Sequence, residues 1–172
     1  SWKGPVEGQS VEYIAAGDQG VYVVTSGVGN GLETLRCAPH LMRLDGECRT
    51  LADYVFDEGA FLSRVAVRDG IVYVTCYKAD DKRSTLCAFD EETLVLLHTV
   101  ALGGEDHAVT DLLLLPGRVL LFAEHEAMLY SLPDAKLLDV CPLPGAVFTS
   151  TQMENGTVYC TCRRALYEIK MT

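Results

Sequence analysis

Short, largely apolar runs recur along this chain, and turns rich in glycine, asparagine, aspartate and proline interrupt them. Runs of this length bounded by such turns predict strands throughout. Helical periodicity is weak; the stretch 47–56 comes nearest to it and reads better as a strand. Four times a glycine is followed by a six-residue apolar run: 21–26 after Gly20, 71–76 after Gly70, 118–123 after Gly117 and 157–162 after Gly156. Each run is followed by a second short strand of one pattern, at 40–45, 85–90, 127–132 and 165–170.

Aligned on the glycines, the second and fourth positions of the runs are Tyr22 and Val24, Val72 and Val74, Val119 and Leu121, and Val158 and Cys160. The sixth is always small: Ser26, Cys76, Ala123 and Cys162. These three positions share one strand face, and the opposite face is also largely apolar, which suits strands sandwiched between neighbouring sheets. Around each run the sequence completes a meander. In the second unit the strands are expected at 61–68, 71–78, 85–90 and 94–102; in the third, at 109–115, 118–124, 127–132 and 136–143. Asp69-Gly70 and Asn155-Gly156 supply the positive backbone angles of two-residue hairpins, while Pro116-Gly117 and the 17–20 stretch serve the same place with other turn chemistry.

Strand-only self-similarity at a period of about 40 to 50 residues is the signature of β-propeller blades. The fold class is therefore all-β, with about four four-stranded antiparallel blades at 11–56, 61–102, 108–143 and 146–170. The fourth unit shows no outer strand of its own, and residues 1–10, with 2–6 as the pairing segment, could supply one in spite of Gly4 and Pro5. Four blades lie at the lower limit for a ring. The expectation is thus a half-ring or a segment of a larger propeller, completed by further blades or a second copy, and not a closed four-bladed monomer.

The strings 86–94 (LCAFDEETL) and 41–46 (LMRLDG) resemble the third-strand-and-turn segment of propellers of the quinoprotein type and of the wider WD-repeat-like group. The Gly-His and Trp-Asp pairs of true WD repeats are absent, and Trp2 is the sole tryptophan. The resemblance implies an interaction platform without a catalytic centre.

Charge and chemistry refine this picture. With 24 acidic residues against 14 Lys and Arg, the net charge is −10, which argues against binding nucleic acid or anionic lipid and favours a basic protein partner. No apolar run approaches the roughly 20 residues of a membrane span. Seven cysteines occur; Cys160 and Cys162 lack a second pair at zinc spacing, and Cys76 and Cys162 fill a packing position. Buried, reduced thiols in the cytoplasm are expected, with no metal and no cofactor.

The four histidines are scattered, and no H-E-x-x-H or nucleophile-elbow spacing occurs. Glu124, His125 and Glu126 form the only dense acid–base triplet in the sequence, and His107 lies beside Glu105 and Asp106 in the link between units two and three. Both read as loop residues, and the 27–31 glycine cluster as a hairpin extension. The chain is read as a non-enzymatic scaffold that presents rim loops to protein partners; a propeller enzyme or small-ligand binder with a site at the central channel is the alternative. The binding residues expected on the rim are Asn30, Asp80, Asp81, Glu105, Asp106, His107, His125 and Glu126, and the long connection 27–39 is expected to mark the same functional side.

Overall fold

A computed structural model describes residues 9–29, 37–78, 80, 82–103, 108–163 and 165–170, with the side chains of 27–29 excepted. Among these residues lie fifteen strands in four antiparallel sheets of consecutive strands. Blade 1 contains β1 (Gln9–Gly17), β2 (Gly20–Gly29), β3 (His40–Leu44) and β4 (Thr50–Val55). Blade 2 contains β5 (Ala60–Arg68), β6 (Ile71–Lys78), β7 (Arg83–Asp90) and β8 (Leu96–Leu102). Blade 3 contains β9 (Asp111–Leu115), β10 (Arg118–Phe122), β11 (Glu126–Ser131) and β12 (Leu137–Pro142). Blade 4 has three described strands, β13 (Val147–Gln152), β14 (Val158–Cys162) and β15 (Ala165–Ile169). The expected meander is present in every blade. The 2–6 segment lies outside the described residues.

The chain divides into two compact units, Ser1–Asp106 and His107–Thr172. In the first, Tyr22, Val24 and Leu41 of blade 1 pack on Val65, Val72, Val74 and Phe89 of blade 2, with Tyr54 and Phe56 closing the cluster. The Tyr54 and Phe89 rings meet edge to face at 4.8 Å. In the second unit, Leu120, Phe122 and Ala127 of blade 3 pack on Val158, Cys160 and Cys162 of blade 4. Each wholly buried Val, Leu or Phe contributes about 1.5–3 kcal/mol relative to its exposed state, and these interblade contacts are where the apolar pattern is used.

The strand pairing corrects the alignment of blade 1 by one residue. In blade 2 the hairpin closes with Arg68 opposite Ile71, and Val72 lies opposite Phe89. In blade 1 it closes with Gly17 opposite Gly20, and Val21 lies opposite Leu44. The turn residues are Asp18 and Gln19, so Gly20 is the first residue of its strand and not the last of the turn. Its φ of +146° and the Leu44 carbonyl beside its α-carbon leave no room for a side chain. Val21 is therefore the counterpart of Val72, and Thr25, not Ser26, is the counterpart of Cys76, Ala123 and Cys162. Thr25, Cys76, Ala123 and Cys162 are all buried, whereas Ser26 is half-buried. The larger threonine fits because its hydroxyl oxygen accepts the backbone N–H of His40 at 2.8 Å.

Two turn expectations also change. Asp69 and Gly70, both at positive φ, do form a two-residue hairpin. Asn155 and Gly156 do not: Gln152 pairs with Val158, and 153–157 form a five-residue connection held by Met153 N–H to Thr157 O at 2.9 Å. The fourth strand of blade 2 starts at Leu96 instead of 94 because Leu94, at φ +55°, belongs to a turn that Asp90 organises. No helix long and apolar enough to cross a membrane occurs among the described residues.

Candidate functional site

The third strand of each blade gives the clearest contrast between repeats. The pairings Leu44–Val21, Phe89–Val72, Tyr130–Val119 and Ile169–Val158 place β3, β7, β11 and β15 in common register. Leu41, Met42 and Leu44 of β3, the 86–89 run of β7, and Ala127, Met128 and Tyr130 of β11 are buried. In β15, Ala165, Leu166 and Glu168 are exposed, and Tyr167 and Ile169 half-buried. Leu166 and Phe148 of blade 4 are each 66% exposed.

The physical cause is the neighbour that β15 lacks among the described residues. β3, β7 and β11 each pair with a fourth strand, whereas β15 pairs with β14. Along its outer side runs a groove of about 570 Å³ floored by Leu120, Leu129, Leu138, Cys141, Tyr167 and Ile169. Arg118, Glu168 and Lys170 also line it. The corresponding space between blades 1 and 2, bounded by Tyr54, Phe56, Cys87 and Leu96, is about 280 Å³, and there β8 supplies Leu96 and Thr99 to the wall.

A sequence signal for this difference exists. The residue that follows the third strand turns the chain into the fourth. Asp45 accepts the backbone N–H groups of Glu47 and Arg49 at 2.9 Å each. Asp90 accepts the N–H and hydroxyl of Thr93 at 2.8 and 2.6 Å. The Ser131 hydroxyl accepts the N–H of Lys136 at 3.2 Å. Each turn then holds one non-glycine residue at positive φ: Cys48, Leu94 and Ala135. Lys170 occupies the same register position in blade 4, and an ammonium has no acceptor to offer. The substitution was visible in the aligned repeats, but its meaning depends on knowing what the side chain at that position does.

Of the expected rim residues, Asn30, Asp81, Glu105, Asp106 and His107 lie outside the described residues. Asp80 is exposed in the connection between β6 and β7. His125 is exposed in the tight β10–β11 turn, with its Nε2 at 3.7 Å from Glu124 Oε1, and Glu126, half-buried, opens β11. All three stand at or beside the connection between the second and third strands of their own blade. Sequence reasoning did not point to the groove residues.

Four of the seven thiols, Cys76, Cys87, Cys160 and Cys162, are buried; Cys48 and Cys141 are exposed and Cys37 lies between. Burial pushes Cys76 up to about 11 and Cys87 to about 12, and raises Cys160. Thiols held protonated in this way are poor nucleophiles and poor metal ligands. Cys162 donates to the Gly145 carbonyl at 2.9 Å. Among the described residues, no group of three or more His, Cys, Asp or Glu side chains could hold a metal ion.

No family model matches the chain, and no curated protein sequence matches it. Solved structures do. The WD40 β-propeller domain of Doa1 superposes with a TM-score of 0.62 at 17% identity, covering 92% of this chain and 50% of that one. KlHsv2 with loop 6CD replaced by a Gly-Ser linker gives 0.54 at 13%, covering 90% and 45%, and Kluyveromyces lactis Hsv2 with its complete loop 6CD gives 0.52 at 11%, covering 94% and 50%. The chain spans about half the length of these structures. The likeness is one of fold, that of β-propeller blades.

Proposed function

We propose that the chain is a non-enzymatic scaffold that binds protein partners within a larger assembly. The observation that carries this reading is the exposure of β15 and the adjoining apolar groove at a position that is buried in the other three blades. Contiguous apolar surface of this kind marks interaction sites. The raised thiols support the non-enzymatic part, because they remain protonated at neutral pH. Buried free thiols also support a reducing, cytoplasmic setting. The half-length match to solved propellers supports completion by further blades, whether from the same polypeptide or a second copy.

The rim is the second element of the proposal. A net charge of −10 favours a basic partner at the acidic connections, where Asp80, His125 and Glu126 are accessible and to which Asn30, Asp81, Glu105, Asp106 and His107 belong by sequence. Crosslinking followed by mass spectrometry on complexes captured from cells tests the scaffold reading: crosslinks to one recurrent protein at β15 or the rim support it. Turnover of a small molecule with no recurrent partner overturns it. Charge reversal of Asp80, Asp81, Glu105 and Asp106 together is expected to weaken a basic partner and flatten its salt dependence without lowering Tm.

A small-ligand binder is the second reading, supported by a groove volume within the roughly 300–1,000 Å³ range of ligand pockets. A compound-library thermal-shift screen with hits that alkylation of Cys141 abolishes would favour it.

A further inference from the structure

We propose that Asn155 is a site of spontaneous covalent modification. The backbone nitrogen of Gly156 displaces the side-chain amide of Asn155, and the carboxylate that results changes the charge of the cleft in which it stands. The inference is independent of the scaffold reading.

The chemistry begins with the sequence. Asn155 is followed by a glycine, which has no β-carbon to crowd the approach of its nitrogen and which tolerates backbone angles that other residues avoid. An amide carbon and a nitrogen held one peptide unit apart close a five-membered ring, so the step is unimolecular. Atoms balance with water as the sole co-reactant. The Gly156 nitrogen gives its proton to hydroxide and bonds to Asn155 Cγ. The Cγ–Nδ2 bond breaks, and ammonia leaves with a proton returned by water. Water then opens the cyclic imide. Addition at Cγ restores the original backbone as aspartate, and addition at the main-chain carbonyl carbon routes the chain through Cγ as isoaspartate. One water is consumed and one ammonia released in either case.

Three features of the fold serve this reaction. The pairing of β13 with β14 ends at Gln152 opposite Val158, so residues 153–157 lie outside the ladder, and Met153, Glu154 and Asn155 are exposed. Asp69-Gly70, by contrast, is closed directly by Arg68 opposite Ile71, and a carboxylate is the poorer electrophile. Gly156 stands at φ +85°, and a β-carbon there would meet nothing within 4 Å, so packing does not oppose a ring at that place. Thr157 N–H donates to Asn155 Oδ1 at 3.0 Å. A donor on that oxygen draws electron density from Cγ and stabilises the oxyanion formed as the nitrogen attacks.

One contact resists. Gly156 N–H donates to Met153 O at 2.9 Å, and this bond has to open before the nitrogen can react. Opening it slows the step by at most about tenfold.

The product has a defined setting. Asn155 lines a cleft of about 490 Å³ together with Arg118, Gln152, Thr157, Glu168 and Lys170. Its described walls hold two cations and one carboxylate, and a second carboxylate at position 155 balances them.

The test is incubation of the full chain in heavy-oxygen water at neutral pH and physiological temperature, beside a free peptide of residues 150–160. Peptide mapping by mass spectrometry follows Asn155, and an isoaspartyl methyltransferase reports the rerouted backbone. Asn155 in the folded chain is expected to convert at no less than about a tenth of the peptide's rate. Its product should carry heavy oxygen and include the isoaspartyl form. Asn155→Gln should remove the signal, because the longer side chain would have to close a six-membered ring. Conversion below that limit overturns the proposal, as does a product without heavy oxygen. The cleft is tested by Asn155→Asp in the wild-type chain and in the Arg118→Gln, Lys170→Gln variant. The change should be better tolerated in the wild-type chain, by Tm at low salt, and the advantage should shrink at high salt. Equal shifts in both chains overturn the consequence assigned to the cleft, whatever the rate at Asn155.

Discussion

Tyr22, buried in the second strand of blade 1, donates its phenolic O–H to the backbone carbonyl of Glu91 at 2.7 Å. Glu91 belongs to the turn after the third strand of blade 2, so one side chain ties two blades together. The bond is doubled nearby, where the Gln19 N–H donates to Glu91 Oε1 at 3.1 Å. Gly17 leaves the space for this arrangement: a β-carbon there would collide with Glu91 Oε1 and with Val67 Cγ1. Tyr22→Phe removes the donor and keeps the ring, so the loss is that of one buried hydrogen bond, about 1–3 kcal/mol. Gly17→Ala is expected to cost about as much through overpacking. Urea unfolding measures both, and wild-type midpoints would show that the two blades do not depend on this contact.

The one-residue shift in blade 1 makes a prediction that the glycine-anchored alignment would not. Thr25→Val is nearly isosteric but deletes the acceptor of the His40 N–H, so it should destabilise by about 1–3 kcal/mol. Ser26→Ala, at the half-buried neighbouring position, should cost less. Reversed magnitudes would restore the alignment in which Ser26 is the packing residue.

How legible these features were follows from what each depends on. The meander was readable because strand alternation and turn glycines are local. The register of blade 1 was not, because its turn is made by Asp18 and Gln19 and Gly20 serves the strand through its closeness to the Leu44 carbonyl, a long-range contact. Asn155-Gly156 misled in the opposite sense, since its turn chemistry serves a longer connection. The groove was illegible because it depends on the exposure of β15, and Lys170 signals that exposure only once Asp45 and Asp90 are seen to cap their turns.

The buried thiols predict both reactivity and a pH response. Under native conditions a maleimide should label Cys48 and Cys141 rapidly and Cys76, Cys87, Cys160 and Cys162 slowly. Rapid labelling of Cys76 or Cys162 would contradict the packing described for their strands. Cys76→Ala should cost less than the roughly 2–5 kcal/mol of a buried Leu→Ala change, because Ala123 already occupies the same position in blade 3.

Burial raises Cys76 to about 11 and Cys87 to about 12 from an unfolded value of 9.0. A group whose value rises on folding contributes stability that is complete below the unfolded value and is lost as pH climbs through the folded one. Stability should therefore decline from about pH 9 towards 12. In the Cys76→Ala, Cys87→Ala double variant the decline should be shallower, whatever its stability at neutral pH. Thermal melts across that window decide the matter, and an unchanged slope would mean that other groups, Tyr22 among them, carry the alkaline loss.

The turn caps respond at the other end of the scale. Asp90 is held below its ordinary 3.8 chiefly by the Thr93 hydroxyl and then by the Thr93 N–H, and Asp45 by the Arg49 backbone N–H and then its guanidinium. For a carboxylate whose value falls on folding, the stabilisation is complete above the unfolded value and disappears as pH drops through the folded one. Melts should therefore show stability falling as pH drops below about 3.8. Asp90→Ala deletes both bonds to Thr93 and leaves Leu94 in a left-handed conformation without its anchor. It should lower the urea midpoint at pH 7. Asp90→Asn retains an acceptor oxygen and cannot ionise, so it should lose less at pH 7 while removing this residue's share of the acid response. A variant in which asparagine and alanine behave alike at every pH would show that Asp90 acts through its charge alone and not as the hydrogen-bonding cap that starts the fourth strand.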